Sequence, residues 1–345
     1  MRVVALGREN LYDLVLRAVG DGYNIVLMIV CKESDFYQRT TTDFKMLAKK
    51  LGIPFIQTEN INKSEIIKRI KEVKPDIGMS YHWKTLIEQG VLDCFPQGVI
   101  NFHPGDLPRY KGNACTHWAI MNGEDKIVMT LHLMTTELDS GPVILKKEIT
   151  LSENTYILEI YSHIHDNCPN MYMEALDKLR EGFTGFPQDK DPARSLRCYP
   201  RSLRDSEINW NEPAVMLARL VRAVSEPLVG AYTFIEDKKL IVWRAHYEIP
   251  PFPFIGSPGQ IADRRVNTGE VAVVTGEGLL VLEEVEIDGI GRIKPTKAIK
   301  TIRLKLGMDV TDEIMRLKHK LENLKKVLEI VQKSGGNLEK PSYKE

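Results

Sequence analysis

The sequence predicts an α/β fold with a mostly parallel sheet, followed by a smaller β domain and a C-terminal helix. Three observations carry this. Short runs of consecutive apolar residues alternate with stretches of helical spacing through the first half, the pattern of strands buried on both faces and connected by helices. A Pro-, Arg- and Ser-rich stretch without periodicity, "TGFPQDKDPARSLRCYPRSLRDSE", then interrupts the chain. Beyond it, apolar runs come in pairs around charged or Gly-containing turns, as antiparallel strands do.

Element by element, "MRVVALG" reads as a short buried strand. "NLYDLVLRAVGDG" places Leu11, Leu14, Val15 and Ala18 at helical spacing and ends on Gly20. "YNIVLMIVCK" is a second buried strand, followed by a helix from Phe44 to Leu51, the strand "IPFIQ", and a helix from Lys63 to Glu72. "PDIGMSYHW", "GVINFH", "KIVMTLHLM" and "PVILKKEITL" continue the strands, and Thr155 to Arg180 makes one long helix. The first strand-to-helix turn, "LGREN", holds one glycine and lacks the G-x-G-x-x-G on which a dinucleotide pyrophosphate rests, which argues against a nicotinamide cofactor.

The domain boundaries expected are 1–188, a linker at 189–207, and a second domain at 208–305. In that domain "NEPAVMLARLVRAV" starts a helix that Asn211 can cap, with Pro213 in its first turn and Met216, Leu217, Leu220, Val221 and Val224 on one face. "GAYTFIEDKKLIVWRAHY" and the hairpin "EVAVVTGEGLLVLEEVEI" suit a compact antiparallel domain or small barrel. The helix expected at 306–333 differs. Val310, Ile314, Leu317, Leu321, Leu324, Leu328 and Val331 recur in alternating steps of four and three, a heptad stripe. It fits a helix lying on its own barrel, or a homodimer through this helix, with the flanking lysines favouring an antiparallel pair. A flexible tail is expected at 334–345.

Composition narrows the function. The 345 residues are 43% apolar and 27% charged with no net charge, so nothing drives the whole chain towards nucleic acid or membrane. From Arg292 onwards bases outnumber acids roughly two to one, read as a solvated helix face. Cys31, Cys94, Cys115, Cys168 and Cys198 are scattered and odd in number, as for thiols in a reducing compartment. The N-terminus is too quickly polar for a signal peptide and no apolar run reaches membrane-spanning length, so a cytoplasmic protein without a membrane partner is expected.

Chemistry concentrates in "VINFHPGDLPRYKG", residues 99–112. Asn101 and His103 break a buried strand at i and i+2, so both side chains project from one face, roughly 7 Å apart along the backbone. Pro104 ends the strand and holds His103 extended. Ligands bind at the carboxyl ends of strands in open α/β sheets. In "TTELDSGPVI", Asp139 occupies a polar turn between two strong strand patterns and can approach the same crevice. Asn, His and Asp together suit acyl transfer: an amide N–H and an imidazolium stabilise a developing oxyanion, and a carboxylate orients the histidine and moves protons. Taken singly, each residue has a structural alternative. His132 in "LHLM" points to the same region and reads equally as a supporting or a core histidine. His117 and Trp118 read as packing or substrate contact. His163 and His165 diverge on a helix and do not make a metal site.

The paired motifs "NFHPGDLPRYKG" and "LDSGPVI" resemble those of the 10-formyltetrahydrofolate-dependent formyltransferases, over roughly the first 185 residues. The resemblance implies a Rossmann-like catalytic domain that transfers formyl from 10-formyltetrahydrofolate to a primary amine without a metal, with Asn101, His103 and Asp139 as the catalytic residues. By family layout, folate lies near Ser80, Tyr81 and Leu86 and the loop with Thr135, Glu137 and Leu138, while the amine substrate meets Asp106, Pro108, Tyr110, Lys111 and Asn113. Related enzymes also have a tight turn at Leu107–Pro108, expected to be cis. The stretch "INWNEPAVMLARLVRAVSEPLVGAYTFIEDKKLIVWRA" resembles the start of the OB-like C-terminal domain of methionyl-tRNA formyltransferases.

Two departures bear on the amine. The loop "CKESDFYQRTTTDFKM" lacks the Gly- and base-rich character with which the tRNA enzymes grip an acceptor stem, and "HPGDLP" is closer to the sugar enzymes than "H-x-S-L-L-P". Zero net charge agrees, since tRNA affinity leans on phosphate neutralisation. The expected substrate is therefore a nucleotide-linked amino sugar. Rival readings are a methionyl-tRNA formyltransferase, a 10-formyltetrahydrofolate hydrolase and an inactive folate-binding module. The hydrolases usually carry a further domain before the catalytic one, whereas here the first strand starts at Met1.

Overall fold

Apolar residues run without alternation through β1 (Arg2–Gly7), β2 (Asn24–Val30) and β4 (Ile77–Tyr81), and these strands lie in the middle of a sheet covered on both faces. The computed structural model describes residues 1–32, 38–308 and 310–333. The expected 334–345 tail and part of the loop after β2 lie outside the described residues.

The remaining elements of the first half are α1 (Leu11–Gly20), α2 (Thr41–Leu51), β3 (Phe55–Gln57), α3 (Ser64–Glu72), α4 (Gln89–Leu92), β5 (Val99–His103), β6 (Tyr110–Gly112), α5 (Cys115–Asn122), β7 (Lys126–Leu133), β8 (Val143–Thr150) and α6 (Ile157–Arg180). The sheet runs β3-β2-β1-β4-β5-β7-β8. The strands from β3 to β5 are parallel; β7 and β8 are antiparallel. A loop as short as the one between β7 and β8 can join only antiparallel neighbours. Strand order reverses beside β1 and β4, the switch point where a crevice opens at strand ends.

Alternation along β5 decides what faces that crevice. Ile100 and Phe102 enter the core shared with α1 and α6; Val99 enters the opposite core with Leu6, Ile66, Ile70 and Val91. Asn101 and His103 share the face of Val99.

The second half contains β9 (Leu196–Cys198), α7 (Ala214–Val224), β10 (Ala231–Ile235), β11 (Lys238–Glu248), β12 (Ile261–Arg265), β13 (Glu270–Val274), β14 (Leu279–Ile287), β15 (Gly291–Ile293), α8 (Pro295–Ala298) and α9 (Val310–Lys333). Its antiparallel sheet runs β10-β11-β14-β13-β12, with β15 on β14. Bridges from Leu306 to Ile235 and from Lys305 to Gln260 tie both edges together, shielding backbone that open edges would expose. Asn211 does not cap α7: its amide donates to Asn209 Oδ1 at 3.0 Å, and the helix begins behind Pro213. The 189–207 stretch, expected as a linker, carries β9, which pairs in parallel with β6, and the Tyr199 carbonyl accepts from Trp118 Nε1 at 2.9 Å. A short ladder outcompetes the turn chemistry that the Pro and Ser content suggests.

The turn before β8 depends on one glycine. A Cβ on Gly141 would sit 1.8 Å from the Leu133 carbonyl oxygen, far inside van der Waals contact. Gly141→Ala should therefore cost about 3 kcal/mol. Urea unfolding checks this, and an unchanged midpoint would mean that the turn yields freely.

Candidate active site

Asn101, His103 and Asp139 meet at the carboxyl end of β5. His103 is 4% exposed. Its Nε2–H donates to the Tyr110 carbonyl at 2.6 Å, and its Nδ1 stands 3.5 Å from Asp139 Oδ2. Only glycine fits at 105, where a Cβ would lie 2.5 Å from His103 Nε2. Asp139 has φ +45°, a left-handed conformation that Asp tolerates better than most residues. Its Oδ2 accepts the Gly112 N–H at 2.8 Å, and its carbonyl accepts Gln188 Nε2 at 2.8 Å. The same Gln188 nitrogen reaches the Gly141 carbonyl at 2.7 Å.

His132, paired with Asn101 across β5 and β7, supports the group. Its ring donates from Nδ1 to the Leu133 carbonyl at 2.9 Å and accepts at Nε2 from Asn101 Nδ2 at 3.2 Å. That pattern requires a neutral ring. Burial, and next the neighbouring His103, push its pKa down to about 4, against an opposing pull from Asp139. His132 Nε2 lies 3.8 Å from Asp139 Oδ1. One Asn101 amide hydrogen is thus committed and its orientation fixed, which leaves the second N–H as the available donor. Both ring nitrogens of this buried histidine are satisfied and one of them holds Asn101, so the contacts fit both sequence readings of His132.

The expected binding residues divide. Ser80 is fully buried beside Asn101, with its carbonyl accepting from Tyr172 and its Oγ without a hydrogen-bond partner. Tyr81 is 2% exposed and stacks on Phe102, while its hydroxyl accepts from Asn10 Nδ2. Its ring is therefore core, and the expectation that it lines an open crevice is corrected. Tyr110 is corrected likewise: its ring is buried and its hydroxyl donates to Glu124 at 2.7 Å, so what it presents to the site is the carbonyl that holds His103. Leu86 is 66% exposed on the rim. Thr135 and Ser140 join their hydroxyls at 2.8 Å, shaping the loop that carries exposed Glu137 and half-buried Leu138. Asp106 is paired with Lys146 Nζ at 2.7 Å, Leu107–Pro108 is cis, Lys111 is half-buried and Asn113 is exposed. His117 turns away, with Nε2 2.9 Å from the Tyr161 hydroxyl.

Sequence reasoning missed Gln188 and the β9 segment, which lie in a stretch without periodicity. Lys111 and Arg197 are register partners on β6 and β9, and the Arg197 guanidinium packs where a Cβ of Gly112 would be. No group of three or more His, Cys, Asp or Glu side chains able to hold a metal occurs among the described residues. No helix among them is long and apolar enough to cross a membrane. A cavity of about 1000 Å³ lies in the second half, around Trp210, Arg204, Lys305 and Arg316. It contains none of the convergent side chains, so size alone does not mark the site.

The sheet, with its polar side chains gathered at one strand end, is followed by the antiparallel domain, which makes a two-part architecture. Residues 1–176 match the formyl transferase family and residues 202–303 match the formyl transferase C-terminal domain; the chain belongs to this family. Solved structures share the fold. An N-formyltransferase from Helicobacter canadensis in complex with folinic acid and dTDP-3-aminofucose matches at 14% identity with a TM-score of 0.60, over 81% of this chain and 98% of that one. WlaRD, a sugar 3N-formyl transferase solved in the presence of dTDP and 5-N-formyl-THF, matches at 13% and 0.57, over 82% and 96%. HypX from Aquifex aeolicus in complex with tetrahydrofolic acid matches at 19% and 0.53 over 87% of this chain; the chain spans about half, 47%, of HypX.

Burial holds His82, His117 and His132 at pKa values of about 4, against an ordinary 6.5. Between those values the unfolded chain binds more protons than the folded one, so stability rises with pH there and falls as pH drops from 6.5 towards 4. The melting temperature should be several degrees lower at pH 5 than at pH 7.5. A flat profile over that range would show that these rings protonate without cost.

Proposed function

We propose that this protein transfers the formyl group of 10-formyltetrahydrofolate to the primary amine of a nucleotide-linked amino sugar. The observation that carries the reading is the convergence of Asn101, His103 and Asp139 at one strand end, each held by backbone or by a buried neighbour. The neutral amine attacks the formyl carbon, and the carbonyl electron pair moves to oxygen. Asn101 Nδ2–H stabilises that oxyanion, with the His103 imidazole beside it at the same strand end. Asp139 orients His103 and accepts the proton that the attacking nitrogen releases. Collapse re-forms the carbonyl and breaks the bond to the folate nitrogen, which leaves with a proton, giving the formamide and tetrahydrofolate.

On this reading residues 1–188 carry the chemistry, 189–207 close its rim, and 208–305 form the accessory domain. Folate lies near the strand end at Ser80, past Leu86 and along the loop of Thr135, Glu137 and Leu138. The sugar enters past Asp106, Pro108, Lys111 and Asn113. Folate and dTDP-sugar complexes among the similar folds support the choice of a folate donor and a sugar-nucleotide acceptor. So does the Lys111–Arg197 pair: like charges opposite on a ladder are unfavourable by themselves, and a phosphate-bearing substrate would offset them. Five free, buried cysteines support a cytoplasmic location.

His103→Asn should lower turnover by on the order of a hundredfold or more with folate binding retained; more than about a third of the wild-type rate would remove His103 from the mechanism. Asp139→Asn should inactivate at an unchanged melting temperature, and a collapse in stability would instead make Asp139 structural.

The acceptor is tested with a panel of nucleotide-linked amino sugars, initiator Met-tRNA, and no acceptor. Formylation of one sugar nucleotide is expected. Formylation of tRNA alone, formate release without an acceptor, or no turnover at all would overturn the proposal.

A further inference from the structure

Helix α9 is fastened to the antiparallel domain at its start, where Arg316 donates from Nη1 to Asp237 Oδ2 at 3.1 Å; within the helix, Glu313 accepts from Arg316 Nε at 2.8 Å and steadies the guanidinium. Past that anchor it stands in solvent. Ile314, Leu317, Leu321, Leu324 and Leu328 form one line and remain 47% to 59% exposed. The helix has 24 residues, about 36 Å of length. Helical propensity alone gives such an element little stability in water; covering its apolar face supplies it. A continuous line of large aliphatic side chains is not ordinary surface. The packing of this stripe on the protein's own barrel, one of the two sequence readings, is not what the fold shows.

We propose that the same face of a second copy covers this one, antiparallel, with the two-fold axis between Leu321 and Leu324. The pairing goes beyond formyl transfer and does not depend on it. Reversing the helix about that axis sets Leu321 against Leu324 of the second copy, Leu317 against Leu328, and Ile314 against Val331. Every layer is then aliphatic, as a self-complementary two-fold contact requires.

Charge selects the direction. In a parallel pair the positions flanking the seam would set Lys320 against Lys325 of the second copy on both sides. In the antiparallel pair Lys320 faces Val327 instead. Lys318 then falls between Lys325 and Glu329 of the second copy, and Lys325 between Lys318 and Glu322. Lys325 thereby exchanges Lys320 for Glu322 as a neighbour, while Lys318, which Glu313 would meet in a parallel pair, gains Glu329.

The test uses the full chain. Sedimentation at micromolar concentration should show a dimer, and the double variant Leu321→Glu, Leu324→Glu should sediment as a monomer with formyl transfer intact. Orientation is read by cross-linking under a mild copper oxidant, since the native cysteines are buried. Leu317→Cys mixed with Leu328→Cys should give the mixed disulfide, with little from either variant alone. A monomeric full chain, a dimer that survives the double variant, or homodisulfides within each single variant would overturn the proposal. So would a monomer that binds phosphatidylglycerol vesicles through this face.

Discussion

The site depends on one loop folding back over the strand end it leaves. The Tyr110 carbonyl accepts from His103, and two residues on the Gly112 N–H donates to Asp139. One short stretch of backbone therefore fixes both partners of the His–Asp pair. Backbone groups suit this task because they carry no rotamer freedom, and a site is only as precise as what holds it. Everything near the loop can be understood as keeping it there. Gly105 leaves room for the imidazole, β9 pairs with the loop from outside, and Lys146 holds the Asp106 carboxylate and the Leu107 carbonyl at its entry.

Much of this was legible in the sequence because each part has a local cause. Consecutive apolar residues mark strands buried on both faces, and a Pro after His103 marks where β5 ends. A period of two places Asn101 and His103 on one face. The convergence of Asp139 was legible through motif resemblance, since a carboxylate in a turn has no local signature of its own.

The rest was not legible because it depends on contacts distant in sequence. Tyr81 and Tyr110 lie in or beside the motifs and look like binding residues, yet their rings find Phe102 and Glu124 and leave the crevice. An aromatic ring follows the larger buried area, and no local pattern reveals where that area will be. Gln188 lies in aperiodic sequence, and only the fold brings its amide between two carbonyls of the Asp139 turn. Proline and serine content made the β9 segment look like a linker, while its function in the fold comes from the partner strand it meets.

The buried polar groups also explain why the second domain sits where it does. His103, His132 and Ser80 are withdrawn from water at the end of a strand, and an unpaired buried hydroxyl such as Ser80 Oγ costs about 1–3 kcal/mol. A catalytic unit that spends stability at its site needs apolar burial elsewhere. The antiparallel domain supplies it: α7 packs on α5, the helix that begins just after the loop. Across the same junction, Arg222 donates from Nη1 to the Ser152 and Thr155 carbonyls, and the Tyr156 hydroxyl meets the backbone of Ala245. The second domain thus packs on the helix that follows the loop and adds its burial there.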